Sequence, residues 1–165
     1  MLDHPCRCAT SRKIHYAKSS FIGKLMTSSK DKDILSRTLW GEARGETLAG
    51  QIAVAWTIRN RVNDGKTKSW WGEGYAGVCL APYQFSCWNK NDPNFAYLSG
   101  AKTIPFRELA QARIAADQVI DGKVPDPTGG ATHYYAIAMK KAPGWAAKAT
   151  QTLKLGGHVF FKNVP

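Results

Sequence analysis

Two glutamates four residues apart stand in the segment "LWGEARGE", residues 39–46. Glu42 lies seven residues after Leu35, so a helix through this segment places both on one apolar face. An apolar environment favours the uncharged form of a carboxyl, and so does the negative end of a helix in its last turn. A carboxyl that keeps its proton suits general acid catalysis of glycosidic cleavage. The alternative is a solvated glutamate that pairs with Arg37 or Arg44.

The glycines of this segment separate its two glutamates. Gly41 would leave room for a ligand beside Glu42, and Gly45 is a natural end for the helix. Glu46 follows that end, where the next helix begins and a negative charge is stabilised. We therefore expect a structural role for Glu46. Two alternatives are that it tunes Glu42 or holds Arg44.

The elements that must position these residues are mostly helical. Capping-box spacing of Ser28 and Asp31 predicts a first helix that ends near Gly45. Apolar periodicity predicts a second helix over 47–62, with Ile52, Ala55, Trp56 and Val62 as its apolar stripe, and a third over 105–122. Residues 66–100 are rich in Gly, Pro, Asn and aromatics, which predicts loops and a short hairpin that includes "VCLAPYQFSCW". The runs "THYYAI" and "HVFF" predict strands. The predicted fold class is α+β, mostly helical with a small β part.

The length and charge set limits on the function. The chain has 165 residues and a net charge of +11, with no internal repeat. We predict a basic N-terminal extension over 1–27 and one compact domain over 28–165. The positive charge indicates an anionic partner, which could be nucleic acid, a membrane surface or a bacterial envelope.

No stretch approaches the 18 or so apolar residues of a membrane-spanning helix. The first 26 residues are basic but lack a continuous apolar run and a small-residue cleavage site, so we expect no Sec-type signal peptide. A function outside the cytoplasm would then need another exit route.

Cysteine and histidine give little sign of a metal site. Cys6 and Cys8 have no second cysteine pair at suitable spacing, and the four histidines show no HxxxH pattern, so we expect no metal and no cofactor. Cys79 and Cys87 flank a predicted turn. They could be bridged across a hairpin or could be two separate buried thiols, and the sequence leaves both open.

Five segments extend the signal of the glutamate motif: "RTLWGEARGE", "GQIAVAWTIRNRV", "YQFSCW", "DPTGGATHYY" and "LGGHVFF". Together and in this order they resemble the SleB-type cell wall hydrolases, a family that contains spore-cortex lytic enzymes and many phage lysins. The resemblance covers about residues 33–162. It implies a lysozyme-like fold of the goose or lytic transglycosylase type. It also implies cleavage of the β-1,4 bond between N-acetylmuramic acid and N-acetylglucosamine, with Glu42 as the general acid.

Other motif residues are candidates for substrate contact. If "QFSCW" is a strand, Gln84, Ser86 and Trp88 share one side, where the amide and hydroxyl could bind acetamido groups and the indole could stack on a sugar. The alternative is ordinary strand polarity and packing. His133 and Tyr135 share one face of the predicted "THYYAI" strand, where a tyrosine hydroxyl could orient the acid or the substrate.

The alternative for these last two residues is a core aromatic pair. Tyr134 lies on the other face of that strand. His158 in "LGGHVFF" is interpreted as structural.

The number of carboxylates decides between two mechanisms. A hydrolytic muramidase usually needs a second carboxylate, and no sequence context places Asp64, Glu73, Asp92 or Asp126 opposite Glu42. A lytic transglycosylase needs only one acid/base, because the 6-hydroxyl of muramic acid attacks the anomeric carbon. We therefore favour the transglycosylase, with the muramidase as the alternative.

Two other classes compete. A muramoyl-alanine amidase would need a zinc site, and a cationic module that binds envelope or nucleic acid would have no use for Glu42. The favoured interpretation is a monomeric, endolysin-like enzyme made in a host cytoplasm and released through a holin. Its partners would be peptidoglycan and the anionic envelope, with no nucleic acid.

Overall fold

The computed structural model describes residues 27–64 and 71–165 of the chain. The helices there are α1 (Ser29–Ala43), α2 (Leu48–Val62), α3 (Gly74–Leu80), α4 (Phe95–Leu98) and α5 (Phe106–Ile120). The strands are β1 (His133–Ala136), β2 (Thr150–Leu155) and β3 (His158–Lys162). Two 3₁₀ turns cover Ser86–Trp88 and Gly144–Lys148. Apart from Thr27, the predicted N-terminal extension lies outside the described residues.

Helix α1 begins at a capping box, as the spacing of its first residues predicts. The Ser28 hydroxyl accepts a hydrogen bond from the Asp31 N–H at 3.1 Å, and Asp31 accepts one from the Ser28 N–H at 3.1 Å. Leu35 and Leu39 are fully buried one turn apart. This face fixes the rotation of α1 about its axis, and therefore where Glu42 points.

Helix α2 crosses the centre of the domain. Thr47 caps it by accepting from the Gly50 N–H at 3.3 Å, so the predicted start and end are confirmed. The predicted apolar stripe is only partly right, because Ala55 is fully buried whereas Ile52, Trp56 and Val62 are partly buried. Contacts with several helices bury other positions of α2: Gln51, Ala53, Val54, Thr57, Ile58 and Arg61.

Helix α5 confirms the third predicted helix and packs against both α1 and α2. Ala112, Ala115 and Ala116 are fully buried on its inner face. Side chains this small let the three helix backbones approach closely. The tryptophan of the glutamate motif, Trp40, reaches across this interface and donates to Glu108 at 2.9 Å.

The predicted hairpin between residues 66 and 100 is wrong. The described part of this region holds α3, the turn Ser86–Trp88 and α4 instead. Tyr75, Val78 and Cys79 are buried on one face of α3, which packs on α1 and α2. A helix of seven residues is too short to be stable alone, so α3 is stabilised by its packing against α1 and α2. So short a helix also shows no clear apolar period in the sequence.

The three strands form one antiparallel sheet in the order β1-β3-β2. Tyr134 on β1 pairs with Phe160 on β3, and both point toward the helices on what we call the inner face. Tyr135 pairs with Val159 on the opposite, outer face. The sequence missed β2 because a register shift between Gln151 and Leu153 interrupts its alternation.

Within residues 27–64 and 71–165, the longest helices fall short of a bilayer's thickness, and none qualifies as a candidate membrane span.

The loop before β1 is organised around one carboxylate. Asp126 accepts from the Thr128 N–H at 2.7 Å, the Thr128 hydroxyl at 2.6 Å and the Gly130 N–H at 2.9 Å. Gly129 and Gly130 both have a positive φ, 63° and 87°, that favours glycine. The "TGG" segment is therefore explained by turn geometry. Asn60 of α2 also donates to Asp126, at 3.0 Å.

We predict that Asp126→Ala lowers the free energy of unfolding by about 1–3 kcal/mol, since it leaves the buried Thr128 without its acceptor. Urea unfolding measures the change. The matched control is Asp117→Ala, which removes an exposed ion pair with Lys32 and should change stability by less than about 1 kcal/mol. Equal effects of the two substitutions would contradict this account of the loop.

Candidate active site

Glu42 is the penultimate residue of α1 and is half-buried. The Tyr134 hydroxyl donates to Glu42 Oε2 at 3.0 Å. The backbone N–H of Cys87 faces the other oxygen, Oε1, at a long 3.5 Å. The carboxyl therefore has one firmly held oxygen and one loosely held oxygen.

Tyr134 is suited to remain a donor. Burial, and next the neighbouring Glu42 carboxyl, raise the pKa of Tyr134 well above its ordinary value of 10.0. The phenol therefore keeps its proton at any pH at which the protein would work. Tyr134 lies on the strand face opposite the candidate residues His133 and Tyr135, so its contact with Glu42 was not predicted from the sequence.

Gly41 serves packing, and the predicted room for a ligand beside Glu42 is not there. A Cβ placed on Gly41 would lie 2.8 Å from the Cys87 Cβ and 2.9 Å from its sulfur. The Cys87 side chain thus occupies the space that Gly41 leaves empty. This close approach brings the Cys87 N–H to Glu42.

Cys79 and Cys87 are both free and buried, so the structure contains no disulfide between them. They lie in α3 and in the turn Ser86–Trp88, where no hairpin pairs them. Burial raises the pKa of Cys79 to about 12. Burial and the adjacent Glu42 also raise the pKa of Cys87, so both remain neutral thiols.

Arg61 of α2 is buried among the same motifs, with 5% of its surface exposed. Its Nε donates to the Thr132 carbonyl at 2.7 Å and its Nη1 donates to Gln84 Oε1 at 2.9 Å. The guanidinium also lies over the rings of Trp71 and Phe85. Burial lowers the pKa of Arg61, and the charge of Glu42 acts in the opposite direction.

The "QFSCW" residues do not form the predicted strand. Gln84 points its amide oxygen at Arg61, Ser86 is exposed at the start of a 3₁₀ turn, and Trp88 donates to Thr38 at 3.0 Å. Gln84 and Trp88 are thus engaged in internal contacts. A role of these three residues in binding sugar stays a prediction.

His133 and Tyr135 lie on the outer face of the sheet, away from Glu42. His133 contacts the rings of Trp71 and Trp145, with centroids at 5.3 and 5.1 Å. Tyr135 stacks on Phe161 at 5.5 Å. The expectation that this strand face could orient the acid is corrected, because the alternation of β1 turns Tyr134 toward α1 instead.

Glu46 ties the start of α2 to the β2–β3 turn. Both of its carboxylate oxygens accept from the Gly157 N–H at 3.2 Å, and Oε1 lies 3.6 Å from His158 Nδ1. Its backbone carbonyl accepts from Gln111 at 2.9 Å. Arg44 instead lies over the Trp40 ring. These contacts favour the structural role for Glu46 over holding Arg44.

His158 lies beneath the site and is buried. Its ring meets the Tyr134 ring edge to face at 5.1 Å. Burial lowers the pKa of His158, while the charges of Glu46 and Glu42 act in the opposite direction. A neutral imidazole here packs against the tyrosine that holds the candidate acid.

In residues 27–64 and 71–165, no three His, Cys, Asp or Glu side chains are grouped as a metal site would require.

The chain belongs to the cell wall hydrolase family, whose model matches residues 45–161. The match begins after Glu42, so the family model itself assigns no role to Glu42. The chain is 30% identical to spore cortex-lytic enzymes of Halalkalibacterium halodurans and Bacillus subtilis. Each alignment covers 81% of this chain, but only 35% and 38% of those proteins. The chain thus corresponds to well under half of their length.

Two solved structures are similar. The catalytic domain of the Bacillus cereus SleB protein is 29% identical, with a TM-score of 0.61 over 82% of this chain and 91% of that domain. The catalytic domain of the germination-specific lytic transglycosylase SleB from Bacillus anthracis is 29% identical, with a TM-score of 0.60 over 82% and 96%. The predicted α+β, mostly helical, lysozyme-like fold is confirmed.

We predict that Gly41→Ala destabilises the protein by about 1–3 kcal/mol, since its Cβ would overlap Cys87. Gly45→Ala is the matched control, because a Cβ there meets nothing within 4 Å and Gly45 has no positive φ. Thermal and urea unfolding compare the two. Gly45→Ala should be neutral or slightly stabilising, and equal losses would rule out the packing role of Gly41.

A second prediction concerns acid stability. Burial, and next the charge of Arg61, lower the pKa of His133 from 6.5 to about 4. As the pH falls, the imidazole of the unfolded chain binds a proton near pH 6.5, before the imidazole of the folded protein does. The contribution of His133 to the free energy of unfolding is therefore fully present above pH 6.5 and is lost toward pH 4. His133→Phe should therefore lose less stability than the wild type between about pH 7 and pH 4.5, measured by urea unfolding. An identical loss in both proteins would contradict the assignment.

Proposed function

We propose that this protein cleaves peptidoglycan at the β-1,4 bond between N-acetylmuramic acid and N-acetylglucosamine, as a lytic transglycosylase with Glu42 as its acid/base. The observation that carries the proposal is the Glu42 carboxyl, held at Oε2 by Tyr134 and left loosely held at Oε1. The family and the similarity to a lytic transglycosylase catalytic domain support it.

The proton transfers balance with a single carboxyl. Protonated Glu42 donates to the glycosidic oxygen, the bond from the anomeric carbon breaks, and N-acetylglucosamine leaves with a free 4-hydroxyl. The 6-hydroxyl oxygen of the muramic acid then attacks the anomeric carbon, and the Glu42 carboxylate takes the proton of that hydroxyl. The products are a 1,6-anhydro end and a re-protonated Glu42, with no water consumed.

The two donors around Glu42 fit this cycle. Tyr134 donates to Oε2 and stabilises the carboxylate that forms once the proton has left. The Cys87 N–H is too distant to hold Oε1 tightly, so Oε1 is the oxygen that we assign to proton exchange. A glutamate in which both oxygens were firmly bound by donors would favour the carboxylate form and would offer no free oxygen for proton exchange.

The other carboxylates support a single-acid mechanism. Asp64 accepts from Trp71 at 3.0 Å, Asp92 accepts from the Asn94 N–H, and Asp126 holds its own loop. Glu73 is exposed ahead of α3, and Glu46 is bound to Gly157. The muramidase alternative would require one of these groups to act opposite Glu42 as nucleophile or base.

We also propose that the enzyme acts as an endolysin in host cell lysis, with peptidoglycan and the anionic envelope as its partners. The net charge of +11 supports an anionic target. Binding to a charged surface weakens with salt, so lysis should slow as the ionic strength rises.

We predict that Glu42→Gln abolishes release of glycan fragments from purified sacculi, because an amide cannot exchange the proton. Tyr134→Phe should lower kcat about tenfold or more with little change in KM, since it removes one hydrogen bond to the carboxylate. Turbidity loss of sacculi and fragment release by chromatography measure both effects.

Tyr97→Phe is the matched control, since Tyr97 packs beside Trp40 and should keep full activity. Circular dichroism verifies that each variant is folded. A folded Glu42→Gln protein that still releases fragments would refute the proposed function.

A further inference from the structure

The outer face of the sheet carries a groove that the proposed chemistry does not use. Two adjoining cavities of about 380 and 520 Å³ share Tyr135, Ala142 and Gln151 as lining residues. One extends to Met139 and Lys154, and the other to Lys141, Pro143 and Phe161. We call the two together the outer groove. The strand alternation that points Tyr134 at Glu42 points Tyr135 into this groove.

The walls of the outer groove are apolar although they face solvent. Ile137 and Met139 are 40% and 50% exposed beside Tyr135. Phe161 lines the second cavity, and the Trp145 ring packs edge to face on it at 5.3 Å. Exposed apolar and aromatic side chains together favour a ligand with flat apolar faces, as sugar rings have.

The rim of the outer groove is strongly basic. Residues 127–165 contain five lysines and no aspartate or glutamate. Lys141 and Lys154 line the groove itself, and both are exposed. No acidic residue of this segment offsets their charge. The ligand should therefore carry negative groups spaced along an otherwise neutral chain.

The kind of basic residue separates two anionic polymers. Residues 114–165 contain no arginine, the residue whose planar fork suits phosphates and bases in nucleic acid recognition. Lysines act as point charges that pair with carboxylates, and without arginine this face lacks the fork that most often reads guanine. A glycan strand with peptide stems offers such carboxylates beside acetamido groups, and Gln151 can hydrogen-bond the latter.

We propose that the outer groove binds an uncut strand of peptidoglycan, with stem-peptide carboxylates on Lys141 and Lys154 and sugar faces on Tyr135 and Met139. The identity of the polymer rests on the proposed function. The groove lies on the opposite side of the sheet from Glu42, so it holds the enzyme on the wall while another strand is cleaved.

The test separates binding from cleavage. The Glu42→Gln protein is sedimented with purified sacculi at low salt, with and without the added pair Lys141→Gln and Lys154→Gln. The matched control carries Lys30→Gln and Arg107→Gln, which remove the same charge from exposed helical positions. We expect the groove pair to weaken binding about fivefold or more and the control pair to change it less than twofold.

A second measurement uses the active enzyme. The groove pair should slow the digestion of intact sacculi but leave the cleavage of a soluble glycan tetrasaccharide unchanged, because so short a ligand need not reach the groove. Met139→Ser should weaken sacculus binding to a similar extent at low and high salt, since its contact is apolar.

Equal binding losses in the groove and control pairs would overturn the proposal, because net charge alone would then explain them. A groove pair that loses affinity for duplex DNA and keeps its affinity for sacculi would overturn it in favour of nucleic acid. An active wild type is not needed for the binding test. A wild type that releases nothing from sacculi would refute the proposed function while the sedimentation result still reports on the groove.

Discussion

The site depends on the buried guanidinium of Arg61. Taking a charge out of water is costly, so a buried arginine is stable only where its donors meet acceptors. Two of these acceptors are the Thr132 carbonyl and the Gln84 amide oxygen. These two acceptors lie in separate segments that are far apart in the chain. The hydrogen bonds of this one charged group therefore fix both segments against α2.

Those two segments carry the groups that hold Glu42. Thr132 lies two residues before Tyr134, which donates to Oε2, and Gln84 lies three residues before Cys87, whose N–H faces Oε1. The capping box and the buried leucines of α1 bring Glu42 to meet them. Glu46 is not part of this arrangement, because its carboxylate accepts a hydrogen bond from the Gly157 N–H in the β2–β3 turn. The motif "EARGE" thus contains one residue placed for chemistry and one placed for the fold.

The elements with a long periodic pattern or a local capping residue were predicted correctly from the sequence. The starts of α1, α2 and α5 follow from Ser28, Thr47 and Pro105, and the structure confirms them. The prediction failed for elements whose formation depends on tertiary packing. Helix α3 is too short to show a period, and the shift near Gln151 hides β2. At Gly41 the pattern could show that a side chain is absent but not that Cys87 fills the space.

The residues of the candidate site likewise divide into one that the sequence predicted and others that depend on tertiary structure. Glu42 stood out because a carboxyl on an apolar helix face has a chemical meaning by itself. Tyr134 was missed because alternation tells which residues share a strand face but not which face meets the helices. Arg61 gave no distinctive signal, because Arg59 and Asn60 precede it and make this part of α2 look like an ordinary polar helix end.

The most direct test of the single-acid mechanism is mass analysis of the muropeptides that the wild-type protein releases from purified peptidoglycan. Transfer to the 6-hydroxyl gives 1,6-anhydromuramic ends that are one water molecule lighter than hydrolysed ends. We expect anhydro ends from the wild type and no such products from Glu42→Gln. Reducing muramic acid ends as the main product would contradict it, because water would then be the acceptor and a second carboxylate would be required.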